Sequence, residues 1–185
     1  MPNRFRTQNV ERQARLAVFA ALTLLPAFAM ASETLVSDLE QRLQANGIES
    51  VNAHLTAQPS VMAELNQRSA DCDPRAIDLT VKLSRSKDTK ATDLHNESLR
   101  IAVGACTEFV LSRLTLKEVP KICAAVSSWT VSQTARELRR RIRQIEADES
   151  IRPTQRGKAC SAAYLFELQN TRVGLRAGRP TPQAK

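Results

Sequence analysis

Glycine, histidine and aromatic residues are scarce in this chain, and each scarcity closes a line of interpretation. The five glycines are too scattered to form a phosphate-cradling loop. β-Branched residues nowhere alternate with polar ones for more than a few positions, so strands are not expected. The Asn46-Gly47 pair follows a helical pattern and fits a helix stop better than a hairpin turn. His54 and His95 belong to no metal- or haem-binding spacing, and both are expected at the surface or at caps. No G-x-S-x-G is present, and the one S-x-x-K match, Ser84 to Lys87, lies in a polar loop without its partner motifs. Neither a cofactor nor a metal is expected. Four aromatics, Phe109, Trp129, Tyr164 and Phe166, follow residue 31. They read as core residues, with Trp129 at a rim.

What is present starts with the first 31 residues. Arg4, Arg6, Arg12 and Arg15 precede an apolar run over 16–25, Pro26 breaks it, and Ala27, Ala29 and Ala31 follow in overlapping A-x-A patterns. This is the pattern of a cleaved secretory signal peptide, with cleavage expected after Ala31. A retained anchor is the alternative, but residues 16–31 supply 16 positions where a spanning helix needs roughly 20. No Arg-Arg pair precedes the run, and no cysteine follows the cleavage point. A single helical domain is expected over 32–176, followed by a polar disordered tail over 177–185.

The leader also carries part of the charge. Of 27 basic and 19 acidic residues, 23 and 18 lie beyond residue 31, which lowers the formal charge from +8 to +5. Basicity alone therefore does not imply a nucleic-acid partner.

Cys72, Cys106, Cys123 and Cys160 make an even set in an exported chain, and two disulfides are the expectation. Their spacings of 34, 17 and 37 lack the close pair typical of a four-thiolate zinc site. Flanking Asp71 and Asp73 would raise the Cys72 thiol pKa, so that cysteine reads as structural. Cys106 and Cys123 lie symmetrically about a turn expected between Leu114 and Thr115, each about 13 Å from it along antiparallel helices. That geometry favours Cys106 with Cys123 and Cys72 with Cys160. The competing pairing, Cys72 with Cys106 and Cys123 with Cys160, is also close to symmetric about its first turn.

Apolar periodicity predicts an all-α bundle of about six to seven helices. The first runs from Ser32 to a stop at Gly47, and a short segment through Val51 and Leu55 ends at Pro59. Ser60 caps the next, and Asp73-Pro74 opens another. Residues 85–91 form a polar loop, and the longest helix is expected over 93–114. Thr115 and Glu118 form a capping box that restarts a helix through Ile122, Cys123 and Val126. Two more begin near Thr130 and Gln155, the last ending near Arg176.

Residues 135–145 carry the most conspicuous surface pattern. At about 100° per residue, Val131, Ala135, Leu138, Ile142 and Ile145 form one seam, while Arg136, Arg139, Arg140 and Arg143 lie opposite. The functional reading is an anion-recognition face. The bland alternative is a solvated face supported by local pairs such as Glu137 with Arg141. Asp71, Asp73, Asp78 and Glu118 are the carboxylates that a fold could pair for hydrolysis. Asn96-Glu97-Ser98 matches the glycosylation tripeptide but falls inside an expected helix.

Together these features predict an exported, periplasmic or secreted, non-enzymatic protein of inhibitor, immunity or secretion-accessory type. Its partner is expected to be an envelope protein or an anionic envelope component, not nucleic acid. Arg136, Arg139, Arg140 and Arg143 are the first candidate contacts and Trp129 the second. The alternatives are an envelope hydrolase using a carboxylate pair and a periplasmic holdase-type chaperone.

Overall fold

A computed structural model describes residues 26–177, with side chains over 34–171. Most of the expected leader and the tail beyond Ala177 lie outside the described residues. Eight helices and no strand occur within them: α1 (Pro26–Ala57), α2 (Pro59–Ala70), α3 (Pro74–Leu83), α4 (Thr89–Ala102), α5 (Thr107–Arg113), α6 (Val119–Ile122), α7 (Val131–Ala147) and α8 (Gln155–Ala177). No helix among the described residues is long and apolar enough to cross a membrane.

Local sequence explains most boundaries. Gly47 takes a left-handed φ of 80° and kinks α1, so the expected stop becomes a bend between two helical segments. Gln58, not the expected Ser60, occupies the cap position of α2, two residues earlier, because Pro59 takes the first helical position. Asp73 caps α3 by accepting from the Arg75 and Ala76 amides at 2.9 and 3.2 Å, as its sequence predicts. Cys72 sits at φ 67° just past the end of α2. There Cys72 N donates to Ser69 O and Asp73 N to Arg68 O, the bond pair of a Schellman ending with cysteine where glycine is usual.

Two apolar clusters share α3 as a common wall. Ala76, Leu79 and Leu83 pack with Val36, Leu39, Val51, Leu55, Met62 and Leu65 of α1 and α2. Ile77 and Val81 face the other way, into a larger cluster with Leu99, Ile122, Leu138, Ile142 and Tyr164 of α4 to α8. At about 100° per residue, positions 76, 79 and 83 occupy one side of α3 and 77 and 81 a second.

The expected 93–114 helix is interrupted. α4 begins earlier, with Asp88 capping the Lys90 and Ala91 amides, and it stops at Ala102. Residues 103–106 turn before α5 starts. Past Leu114 the box is half formed: the Glu118 carboxylate accepts from the Thr115 amide and hydroxyl, but helix extends only over α6, where Pro120 stands in the first turn.

This interruption corrects the favoured disulfide pairing. The bonds are Cys72–Cys106 and Cys123–Cys160. The symmetry argument needed an unbroken rod on both sides of residue 114. With α4 ending at Ala102, Cys106 sits at the α4–α5 corner beside the α2–α3 corner, and Cys123 ends α6 facing α8.

Candidate functional site

The chemistry around α7 starts from its N-terminus. Thr130 and Gln133 form a reciprocal capping box, Gln133 N donating to Thr130 Oγ1 and Thr130 N to Gln133 Oε1. Ala135, Leu138, Ile142 and Ile145 bury as the seam predicts, whereas Val131, at the first helical position, is 52 % exposed.

Arg141 departs most from expectation. It is 4 % exposed and does not pair with Glu137. Its Nη1 donates to the Arg100 carbonyl at 2.6 Å and to the Tyr164 hydroxyl at 3.2 Å. The guanidinium lies 4.7 Å from the Trp129 ring centroid and 5.8 Å from that of Tyr164. No carboxylate compensates it among the described residues. Two aromatic faces and the carbonyl end of α4 do so instead, since a helix C-terminus carries partial negative charge.

Gly104 makes this approach possible. A Cβ there would overlap the Arg141 guanidinium, and the Gly104 carbonyl accepts from Arg140 Nη2 at 3.1 Å. Two arginines of α7 thus satisfy carbonyls at the end of α4, which is why the helix can stop there in a buried setting.

The four arginines expected to share an outward face therefore divide. Arg140 spans Glu137, Gln144 and Gly104, so it serves the scaffold. The Arg140 hydrogen bond, with Arg136 nearby, holds the Glu137 carboxyl below its ordinary pKa. Arg136 is 73 % exposed at its side chain, 3.5 Å from Glu137. Arg139 and Arg143 are exposed, with no ion pair among the described residues. Positions 136, 139 and 143 span an arc of about 60° on the helix. Trp129 is half-buried, and its ring face is occupied by Arg141.

The other candidates take scaffold roles. Asp71 accepts from Gln67, Asp73 caps α3, Asp78 pairs with Arg113 at 2.6 Å, and Glu118 pairs with Arg85 at 2.8 Å. The Arg85 and Thr115 hydrogen bonds hold the Glu118 carboxyl down at about 2. Asn96 is 7 % exposed within α4, at the wall of a small cavity that has no room for a glycan, so the tripeptide is not a glycosylation site. Phe166 was expected in the core but is 63 % exposed on α8, because Tyr164 and Leu168 take the inward positions.

His95 also departs from its expected surface place. It is fully buried, with Nε2 at 2.9 Å from Asn52 Oδ1, while Asn52 Nδ2 donates to the Leu83 carbonyl at 3.1 Å. Nε2 is therefore the donor. The buried Nδ1 has no partner, and burial pulls the imidazole pKa down to about 4. His54 is half-buried in the last turn of α1.

Sequence reasoning missed Arg141, Gly104, Asn52 and His95. For Arg141 a signal was available: at −60° from Leu138 it adjoins the apolar seam at Ile145, away from the other arginines. For Asn52 and His95, far apart in sequence, none was. A shallow apolar groove of about 360 Å³, lined partly by Leu55, Met62, Ala63 and Leu94, lies beside α2 and α4. Among the described residues no group of three or more His, Cys, Asp or Glu could hold a metal. Comparison of the chain with protein-family models, with curated proteins and with solved structures finds no match in any of the three.

Proposed function

We propose that the protein is an exported, non-enzymatic helical module that binds an acidic surface of an envelope macromolecule through the outer face of α7. One observation carries this reading: Arg136, Arg139 and Arg143 present three exposed guanidiniums along one stripe. Two of them have no ion pair among the described residues. Guanidinium favours this use because its planar fork donates to two carboxylate or phosphate oxygens at once. The rest of α7 makes the stripe stiff. Arg140 and Arg141 tie the helix to α4, and Arg141 also donates to Tyr164 of α8, which the Cys123–Cys160 bond pins to the end of α6. Less side-chain and backbone ordering then remains to oppose association.

The export part rests on residues 1–31 and on two disulfides, which suit an oxidising compartment. The test is a pull-down from envelope extract at low and moderate salt, comparing the wild type with Arg136→Glu, Arg139→Glu and Arg143→Glu combined. Specific partners should be lost from the triple variant and weaken with salt in the wild type. An unchanged partner set would remove the stripe from consideration.

A further inference from the structure

A cavity of about 250 Å³ opens against the C-terminal cluster, between the end of α3, α4 and α6. Arg85 borders it after α3, Thr92 and Asn96 from α4, and Glu118 and Lys121 beside and within α6, with Ile122 among its apolar walls. Asn96 is only 7 % exposed, yet its carboxamide has no hydrogen-bond partner among the described residues. Its carboxamide is not among the polar atoms sealed from solvent, so it faces the cavity, and a ligand seated there can take up its hydrogen bonds in place of water.

The charges around it are not equivalent. Glu118 is engaged by Arg85 and Thr115. Lys121 forms no ion pair among the described residues and is exposed at the rim. Among the lining residues one positive charge is left over, with the Glu49 carboxylate held behind Ser86. Thr92 Oγ1 donates to the Ser86 carbonyl at 3.1 Å, which leaves its lone pairs to accept. The Asn96 carboxamide both donates and accepts, the combination that matches a hydroxyl. The cavity is too large for a lone ion and falls just below the roughly 300 to 1,000 Å³ that hold drug-sized ligands.

We propose that this cavity binds a small hydroxylated carboxylate, its carboxylate on Lys121 and its hydroxyls on Asn96 and Thr92. The site is separate from the arginine stripe and does not depend on it. Gluconate is the probe, titrated into the oxidised protein and followed by NMR at the Asn96 and Lys121 amides, with glucose and inorganic phosphate alongside. Gluconate should bind saturably, and glucose at least about tenfold more weakly. Lys121→Gln, at an exposed position, and Asn96→Ala, which breaks no hydrogen bond, should each weaken gluconate at least about tenfold with unaltered thermal unfolding. The Arg136, Arg139 and Arg143 triple variant should bind gluconate like the wild type. Absence of saturable binding overturns the proposal. So does binding that survives both substitutions, or phosphate competing as well as gluconate.

Discussion

The N-terminal and C-terminal clusters share one wall but are closed by different physics. The N-terminal one packs aliphatic side chains of α1, α2 and α3 and is joined to α4 by a neutral polar relay, from His95 through Asn52 to the Leu83 carbonyl. The C-terminal one carries the Cys123–Cys160 bond inside it and a buried guanidinium without a carboxylate. Burying a charge needs compensation, and here a helix end and two aromatic rings provide it. The difference teaches that one half depends on pH through a group kept neutral, while the other depends on covalent closure and on a steric fit at Gly104. The Cys72–Cys106 bond joins the corners of both, with Cys106 packed against the edge of the C-terminal cluster.

The comparison breaks most sharply at the disulfides. Chain entropy gives roughly 4 kcal/mol for either loop, whose cysteines are 34 and 37 residues apart. Cys123 and Cys160 are fully buried, whereas Cys72 and Cys106 are half-buried. We therefore expect Cys123→Ala with Cys160→Ala to lower the urea unfolding free energy by roughly 5 kcal/mol, and Cys72→Ala with Cys106→Ala by roughly 4. The opposite order would show that the inter-cluster staple matters more than the buried one.

The next largest effect is acid sensitivity of the N-terminal half. His95 titrates at about 4 in the fold against an ordinary 6.5, so between those values the unfolded chain holds more protons. Stability is full above about pH 6.5 and falls by roughly 3 kcal/mol as pH drops to about 4. His95→Gln, which can still donate to Asn52, should flatten the stability profile over that range. The Glu118 carboxylate adds a separate loss, from its ordinary 4.5 down to about 2. An unchanged slope between pH 6.5 and 4 in the glutamine variant would refute the assignment.

The smallest effect sharpens the C-terminal side. Gly104→Ala should cost about 2 kcal/mol, because the added methyl meets the Arg141 guanidinium. In an Arg141→Ala background that cost should largely vanish. Additivity in the double-mutant cycle would sink the steric account.

The helical class was legible because apolar residues recur at helical spacing and strand patterns do not. Asp73 before Pro74 sets a helix start through a side chain a few positions from the amides it caps. Short-range chemistry of that kind survives in a linear reading. The same locality misled the reading of residues 93–114, where periodicity runs through the break. Nothing near Gly104 announces that Arg140 and Arg141, on a helix 36 or more residues later, will take over its end. The arginine stripe was legible as a pattern, but its division into scaffold and surface was not. Arg136, Arg139 and Arg143 face outward by periodicity alone, whereas the role of Arg140 depends on what α4 places beside it.

By itself the sequence determined that this chain is all-helical, that its four cysteines pair, and that one helix carries a basic face. Each follows from residue type and spacing within a few turns. Tertiary structure decided which cysteines meet, which arginine is buried, that His95 is a core residue, and where Asn96 is left without a partner. Those outcomes depend on where helices end and which faces oppose each other. Such distances are set by packing between segments far apart in the chain, and no local spacing encodes them.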